Sequence, residues 1–193
     1  MLAAEPTLPL QDKPLAGTSM LAWLNQAEPQ AFARVMAPAV ELAPWGAERT
    51  AAARPFADVD ALATAMRATI ERATRDEQLA LLLGHPELAG REARAGAMTP
   101  ESTGEQGRLG LLALAPTDFA RLTRLNQRYR ERFGFPLIIA LRLHADLASV
   151  LSAGEARLTH EPAHEWMITL GQIAAVMRGR IDRIVSNPIP PPL

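Results

Sequence analysis

Apolar side chains recur at intervals of three or four residues through most of this chain, and prolines or glycines separate the stretches that show this spacing. Such spacing places the apolar side chains on one face of an α-helix, which must then be buried against a neighbour. The clearest stretch runs from Pro116 to Gly134, and its stripe consists of Phe119, Leu122, Leu125, Tyr129 and Phe133. The pattern predicts an all-α protein.

The helical patterns occupy residues 18–185 without a linker, which predicts one domain, a bundle of about eight to ten helices with no significant sheet. Residues 1–17 hold three prolines and no sustained period, so we expect a flexible N-terminal extension, and residues 186–193 form a Pro-rich tail. Thr18 is the expected N-cap of the first helix, and Gly84 is the expected C′ residue of the predicted helix Glu77–Leu83. The predicted helices are Met20–Asn25, Pro29–Leu42, a long helix after Asp58, Glu77–Leu83, one turn within Glu87–Pro100, Ser102–Leu114, Pro116–Phe133, Asp146–Ala156 and Pro162–Val185.

One apolar run, Phe135–Leu141, has the composition of a buried strand. A lone strand has no partner for its backbone N–H and C=O groups. We therefore predict that this run is the start of a buried helix after Pro136.

Composition excludes several classes of protein. A net charge of −1 gives no electrostatic basis for binding nucleic acid or a membrane surface. The chain has no cysteine, so a disulfide framework and a thiolate metal site are excluded. The first residues lack the basic and apolar regions of a secretory signal, and no apolar run is long enough to span a bilayer. We predict a soluble, cytoplasmic protein.

The most polar irregular stretch is Gly84–Gln106, which begins with a lone histidine on a proline. His85 follows a buried helix, so its ring could hydrogen-bond the last free carbonyl groups. Alternatively, an imidazole that titrates near neutral pH and is held by Pro86 could transfer protons. Position alone leaves both interpretations open.

The same stretch ends in Ser102-Thr-Gly-Glu-Gln106, for which two interpretations are equally good. Ser-x-x-Glu is the pattern of a capping box at a helix N-terminus. Yet Ser102, Glu105 and Gln106 also share one helix face, where they could converge on a ligand.

His160-Glu-Pro-Ala-His164 satisfies the H-E-x-x-H pattern of zinc proteases. That chemistry needs both histidines in a continuous helix, whereas Pro162 fits only near a helix start. Glu165 is too close to serve as the third ligand. We predict a helix N-terminus here and no metal.

Two arginines, Arg142 and Arg180, lie among apolar neighbours. An arginine in such a setting pairs with a buried carboxylate or with an anionic ligand. Either one is a candidate for the binding site.

Taken together, these motifs resemble the family of OHCU (2-oxo-4-hydroxy-4-carboxy-5-ureidoimidazoline) decarboxylases, over about Met20 to Val185. His-Pro-x-Leu-Ala-Gly, Ser-x-x-Glu-Gln and Phe-Gly-Phe-Pro are each weak signals, but their joint occurrence in this order is specific. The matching pieces are Glu41–Trp45, Arg54–Phe56, His85–Gly90, Ser102–Gln106, Leu125–Tyr129, Phe133–Pro136, Ile138–Ala140, Leu170–Ile173 and Arg180–Ile181.

The resemblance implies an all-helical homodimer that uses neither a metal nor an organic cofactor. The family's proton donor falls on His85 and its partner carboxylate on Glu105. Its arginine falls on Arg180, with Arg142 as the rival because the last helix departs from the family at Val176-Met177. The implied substrate contacts are Pro86, Ser102, Thr103, Gly104, Gln106, Leu137, Ile138, Ile139, Ala140, Leu141 and Arg180.

The implied reaction converts OHCU, a small molecule of urate breakdown, to (S)-allantoin. In this hypothesis His85 is the acid that shuttles the proton, and Glu105 orients the imidazole or polarises the substrate hydroxyl. Arg180 holds the ureido or carboxylate end, while Gln106 and Ser102 contact the ring amides. The alternatives are a catalytically silent helical interaction module of the same fold and, least favoured, an H-E-x-x-H zinc protease.

Overall fold

The computed structural model describes residues 19–41 and 43–189. Within these ranges it contains ten α-helices, three single 3-10 turns and no strand, which confirms the all-α prediction. The extension at residues 1–17 lies outside the described residues. The helices are α1 (Met20–Gln26), α2 (Pro29–Val40), α3 (Pro44–Thr50), α4 (Val59–Glu71), α5 (Arg75–Gly84), α6 (Arg91–Ala95), α7 (Pro100–Arg108), α8 (Pro116–Phe133), α9 (Leu147–Arg157) and α10 (Pro162–Ser186).

The long helix α10 is the central element of the bundle. It packs against α1, α2 and α4, and α8 packs against α9. Its buried face carries Trp166, Leu170, Ile173, Met177 and Ile181, which follow the helical spacing expected of a core stripe. None of the helices in the described ranges is both long enough and apolar enough to cross a membrane.

Several helix ends differ from the prediction, and the largest difference is at α7, which ends at Arg108 rather than at Leu114. Thr18 lies outside the described residues, and the side chain of Ser19 caps α1 by accepting from the Ala22 N–H at 3.2 Å. Gly84 is the last residue of α5 rather than a left-handed residue beyond it. The helix ends because His85 is extended (φ −74°, ψ 131°), the conformation that the following proline imposes.

The prediction of a buried helix over Phe135–Leu141 is wrong. The segment is buried, but residues 135–140 belong to no helix or strand, and only Leu141–Leu143 form a 3-10 turn. We call Leu137–Leu141 the floor segment, because it forms the base of the cavity described below.

Side chains, rather than a neighbouring strand, satisfy the backbone of the floor segment. Arg157 Nη1 donates to the Ile138 carbonyl at 2.6 Å, and the Ala140 N–H donates to Gln172 Oε1 at 2.8 Å. Arg108 donates to the Leu141 carbonyl. The Leu143 and His144 N–H groups donate to the Ala140 and Leu141 carbonyls. Since buried backbone groups need partners of any kind, these contacts help to stabilise a segment that lies outside any helix or sheet.

Arg157 is itself held by a buried polar cluster between α8, α9 and α10. Glu165 is fully buried and accepts from Arg157 Nε at 2.8 Å and from the hydroxyl of Tyr129. Thr169 Oγ1 accepts from Arg157 Nη2 at 2.9 Å. The cluster holds the Arg157 guanidinium in position, and the guanidinium holds the Ile138 carbonyl through its hydrogen bond.

Two glycines test this packing. A Cβ on Gly154 of α9 would lie 2.8 Å from methyl groups of Leu125 and Leu137, whereas a Cβ on Gly171 of α10 would meet nothing within 4 Å. We expect Gly154→Ala to lower the free energy of unfolding by about 1–3 kcal/mol through overpacking. The matched control, Gly171→Ala, should raise it by about 0.5–1 kcal/mol through helix propensity. Urea denaturation measures both, and equal effects would contradict the packing described here.

Candidate active site

A single buried arginine joins three parts of the fold. Arg180 of α10 is 1% exposed, and each of its five N–H groups has an acceptor. Nε and Nη2 donate to the two oxygens of Glu105 at 2.9 and 2.8 Å. Nη1 donates to Glu41 Oε2 at 3.1 Å and to the Pro38 carbonyl at 3.3 Å, and Nη2 also donates to Ser102 Oγ at 3.2 Å. The guanidinium therefore ties α10 to α7 and to the end of α2.

Ser102 takes part in this network and does not cap a helix. The N-cap of α7 is Thr99, whose Oγ1 accepts from the Ser102 N–H at 3.2 Å, so the capping-box interpretation of Ser102-x-x-Glu105 is wrong. Ser102 Oγ instead donates to Glu41 Oε1 at 2.7 Å, and Thr99 Oγ1 donates to the same oxygen at 2.6 Å. Pro100 at the first helical position moves the start of α7 ahead of Ser102.

Glu41 is the member of the cluster to which the sequence assigned no role. Its side chain is 5% exposed. Its backbone lies at φ 50°, a value that residues other than glycine rarely adopt. Burial alone would raise the pKa of this carboxyl, but Arg180, His85 and the hydroxyl hydrogen bonds hold it below its ordinary value. The signal in the sequence was the Glu41–Trp45 motif, which names the position without giving its contacts.

His85 lies beside this network at the end of α5. Its side chain is 13% exposed, and Nδ1 is 3.8 Å from Glu41 Oε2. Burial, with the positive charge of Arg180, lowers the pKa of His85 to about 4, although Glu41 and Glu105 oppose the change. The imidazole is therefore neutral near pH 7 in the free protein.

Gln106 fixes the loop that follows His85. Its Oε1 accepts from the Ala89 N–H at 2.8 Å, and its Nε2 donates to the Glu87 carbonyl at 3.2 Å. Asn126 of α8 donates to the Leu88 carbonyl at 2.9 Å. These contacts hold Pro86 and His85 at the edge of the cavity.

The cavity itself is narrow, with a volume of about 20 Å³. Its lining brings together most of the residues expected from the sequence, with a polar side from α7 and an apolar side from the floor segment. The lining residues are His85, Pro86, Leu88, Ser102, Glu105, Gln106, Leu137, Ile138, Ile139, Leu141 and Val176.

Five expected residues, Arg180 among them, are absent from this lining. Thr103 and Gly104 are exposed on α7, outside the lining. Arg142 is exposed and donates through Nε to the Ala175 carbonyl at 2.9 Å. Ala140 and Arg142 line an adjoining pocket that shares Glu105, Leu141 and Val176 with the cavity. Of the two candidate arginines, only Arg180 contacts Ser102 and Glu105.

The H-E-x-x-H segment has the geometry of a helix start. α10 begins at Pro162, so His160 precedes the helix, and its Nδ1 lies 2.6 Å from Glu165 Oε2. Among the residues that the structure describes, no group of three or more His, Asp or Glu side chains is arranged to hold a metal ion.

The chain is similar to known proteins over most of its length. The sequence model of the family described as OHCU decarboxylase matches residues 25–182. The chain is also 34% identical over 161 residues to the 2-oxo-4-hydroxy-4-carboxy-5-ureidoimidazoline decarboxylase of Halalkalicoccus jeotgali, which covers 83% of this chain and 89% of that protein. The chain belongs to the OHCU decarboxylase family.

Further relatives of the OHCU decarboxylase family cover most of the chain as well. The decarboxylase of Mus musculus is 36% identical over 155 residues, or 80% of this chain and 86% of that protein. The crystal structure of an (S)-allantoin synthase superposes with a TM-score of 0.65 at 25% identity over 85% of this chain. The chain spans about half of that solved chain, 53%.

The buried His85 makes stability depend on pH. Its folded-state pKa of about 4 lies below the unfolded value, so the unfolded state binds the proton first as pH falls. The stabilisation that comes from keeping His85 neutral is complete above pH about 6.5 and is lost toward pH about 4. The free energy of unfolding should therefore fall by about 2 kcal/mol between pH about 7 and pH about 5. Urea unfolding at these two pH values should show this loss in the wild type and not in His85→Gln. Equal pH dependence of the two proteins would contradict the assignment.

The two arginines should differ in their effect on stability. Arg180→Met leaves Glu41 and Glu105 without their buried partner, which should lower the free energy of unfolding by about 3–5 kcal/mol. Arg142→Met removes an exposed charge and one hydrogen bond, which should cost less than about 1 kcal/mol. Thermal unfolding of both variants provides the measurement, and similar losses would show that Arg180 is not the buried tie of this site.

Proposed function

We propose that this member of the family removes the carboxylate of OHCU as CO2 and delivers a proton to give (S)-allantoin in urate breakdown. The enzyme is a carboxy-lyase. The observation that carries the proposal is a mostly buried imidazole, His85, at a cavity whose other walls are the α7 carboxylate Glu105 and an apolar floor.

The apolar floor suits the first step of the reaction. The bond between the ring carbon and the carboxylate breaks, and its electron pair moves toward the adjacent C=N bond, whose nitrogen takes a proton from solvent. Leu137, Ile138 and Ile139 are each at most 5% exposed and offer no ionic partner to the carboxylate. A carboxylate next to such a surface loses hydration, whereas neutral CO2 does not, so the environment favours departure.

The second step moves a proton, and the protonation state of His85 determines how. CO2 loss leaves a carbon–carbon double bond with a hydroxyl on the former carboxylate-bearing carbon. Because the free imidazole is neutral, it first accepts the hydroxyl proton as the carbonyl forms, then delivers a proton to the neighbouring carbon. Delivery from the fixed side on which His85 lies gives one enantiomer.

The polar side of the cavity orients the substrate. The carboxylate of Glu105 accepts hydrogen bonds from Arg180 Nη2 at 2.8 Å and from Arg183 Nη2 at 3.0 Å. Glu105 accepts from the substrate hydroxyl or ring N–H, and Gln106 and Ser102 face the same space. All five N–H groups of Arg180 already donate to acceptors within the protein. We therefore propose that Arg180 positions Glu105 and Ser102 and does not itself bind the substrate.

The finer features implied by the resemblance belong to the same proposal. The enzyme works as a homodimer in the cytoplasm, and its acid–base mechanism uses no metal or organic cofactor. No contact with nucleic acid or a membrane is part of this function.

The reaction is tested with substrate made freshly from urate by the two upstream activities, an oxidase and a hydrolase. We expect the wild type to form (S)-allantoin, followed by circular dichroism, at the same rate with and without a chelator. His85→Ala should lower kcat by about 10²–10⁴-fold, since it removes the proton carrier. His164→Ala changes an exposed histidine of the H-E-x-x-H segment and is the matched control, with wild-type activity expected. Near-normal turnover by His85→Ala, or loss of activity in chelator, would refute this mechanism.

A further inference from the structure

The carboxylate that acts most strongly on His85 is Glu41, not Glu105. Glu41 Oε2 lies 3.8 Å from His85 Nδ1, whereas Glu105 is committed to Arg180 and Arg183. Of the two carboxylates, Glu41 has the larger influence on the charge of the ring. Glu105 lines the cavity, whereas Glu41 does not.

We propose that Glu41 is a positioning residue for the decarboxylation, holding His85 as the Nδ1–H tautomer so that Nε2 presents its lone pair to the cavity. This proposal rests on the proton-carrier role of His85 given above. A carboxylate facing Nδ1 attracts the N–H dipole and repels a lone pair, so it favours the tautomer with the proton on Nδ1. Nε2 is then the nitrogen that takes the hydroxyl proton and returns one to carbon.

The same carboxylate offsets the cost of the charge that the shuttle creates. When Nε2 is protonated, the ring is a cation in a buried site next to Arg180, and both burial and the guanidinium oppose that state. The charged groups that act on the ring are Glu41 at the end of α2, Arg180 on α10 and Glu105 on α7. Glu41 opposes the effect of Arg180 from the Nδ1 side and so stabilises the transient imidazolium.

The construction around Glu41 is typical of a fixed group rather than an adaptable one. Oε1 accepts from the hydroxyls of Thr99 and Ser102, and Oε2 accepts from Arg180, so the carboxylate has little freedom to turn. The backbone is held at φ 50°, a strained value for glutamate that persists only where surrounding contacts enforce it.

The first test uses the substrate-free protein. Nitrogen-15 NMR of the four histidines, with His85 assigned by its loss in His85→Gln, reports the tautomer and the pKa of each ring. We expect wild-type His85 as the Nδ1–H form. In Glu41→Gln the Nε2–H form should become populated, and the pKa of His85 should fall below its wild-type value. Glu48→Gln, which removes an equal charge from the exposed side of α3, should leave both readouts unchanged. An unchanged His85 spectrum in Glu41→Gln overturns the proposal.

The second test is kinetic. Glu41→Gln should lower kcat by about 10–100-fold with KM altered less than about threefold, since the change affects the reacting imidazole and not substrate contacts. Glu41→Asp keeps the charge and should recover part of kcat. Glu41→Gly tolerates φ 50° without strain, so it should fold and still show the kcat loss. A rise in KM with kcat intact overturns the positioning role.

The same experiment separates this inference from the proposed function. If the wild type forms no (S)-allantoin, the proposed function itself fails. If the wild type is active and Glu41→Gln has the same kcat, this inference alone fails.

Discussion

The buried guanidinium of Arg180 is the interaction on which the site depends. A buried charge costs several kcal/mol in lost hydration, and only complete pairing makes it tolerable. Here two carboxylates, a hydroxyl and a backbone carbonyl take all five N–H groups. Because the acceptors come from α2 and α7, the requirement to satisfy one side chain fixes the relative placement of three helices.

A second buried arginine performs the same task for the opposite wall of the cavity. Arg157 pairs with the fully buried Glu165 and donates to the Ile138 carbonyl, which holds the floor segment in place without a partner strand. The apolar wall and the polar wall are thus each set by an arginine that does not line the cavity itself. The planar guanidinium suits this use, since its donors point in fixed directions toward several acceptors at once.

Local sequence patterns predicted the scaffold well, because helix formation depends on spacing and on end residues. The apolar stripe of α8 and the left-handed Gly134 that ends it are both present, as is the start of α10 at Pro162. The floor segment was mispredicted because its backbone is held by Arg157, Gln172 and Arg108, which are remote in sequence. Its own composition is compatible with a strand or a helix, and only tertiary contacts decide between them.

For the site, too, the sequence motifs identified residues but could not show their tertiary contacts. The motif order located His85, Ser102, Glu105 and Gln106 on one cavity, but it could not show that Glu41 joins them from a distant part of the chain. Nor could it show that Thr103 and Gly104 face away, since neighbouring residues of a helix point in different directions.

The most direct test of this account is a crystal structure of the protein with (S)-allantoin. The account predicts the product in the cavity between α7 and the floor segment, with His85 Nε2 within about 3.2 Å of it. Arg180 should keep both Glu41 and Glu105 as partners. Product bound in the adjoining pocket against Arg142, or Arg180 released from its carboxylates to hold the product directly, would contradict the account.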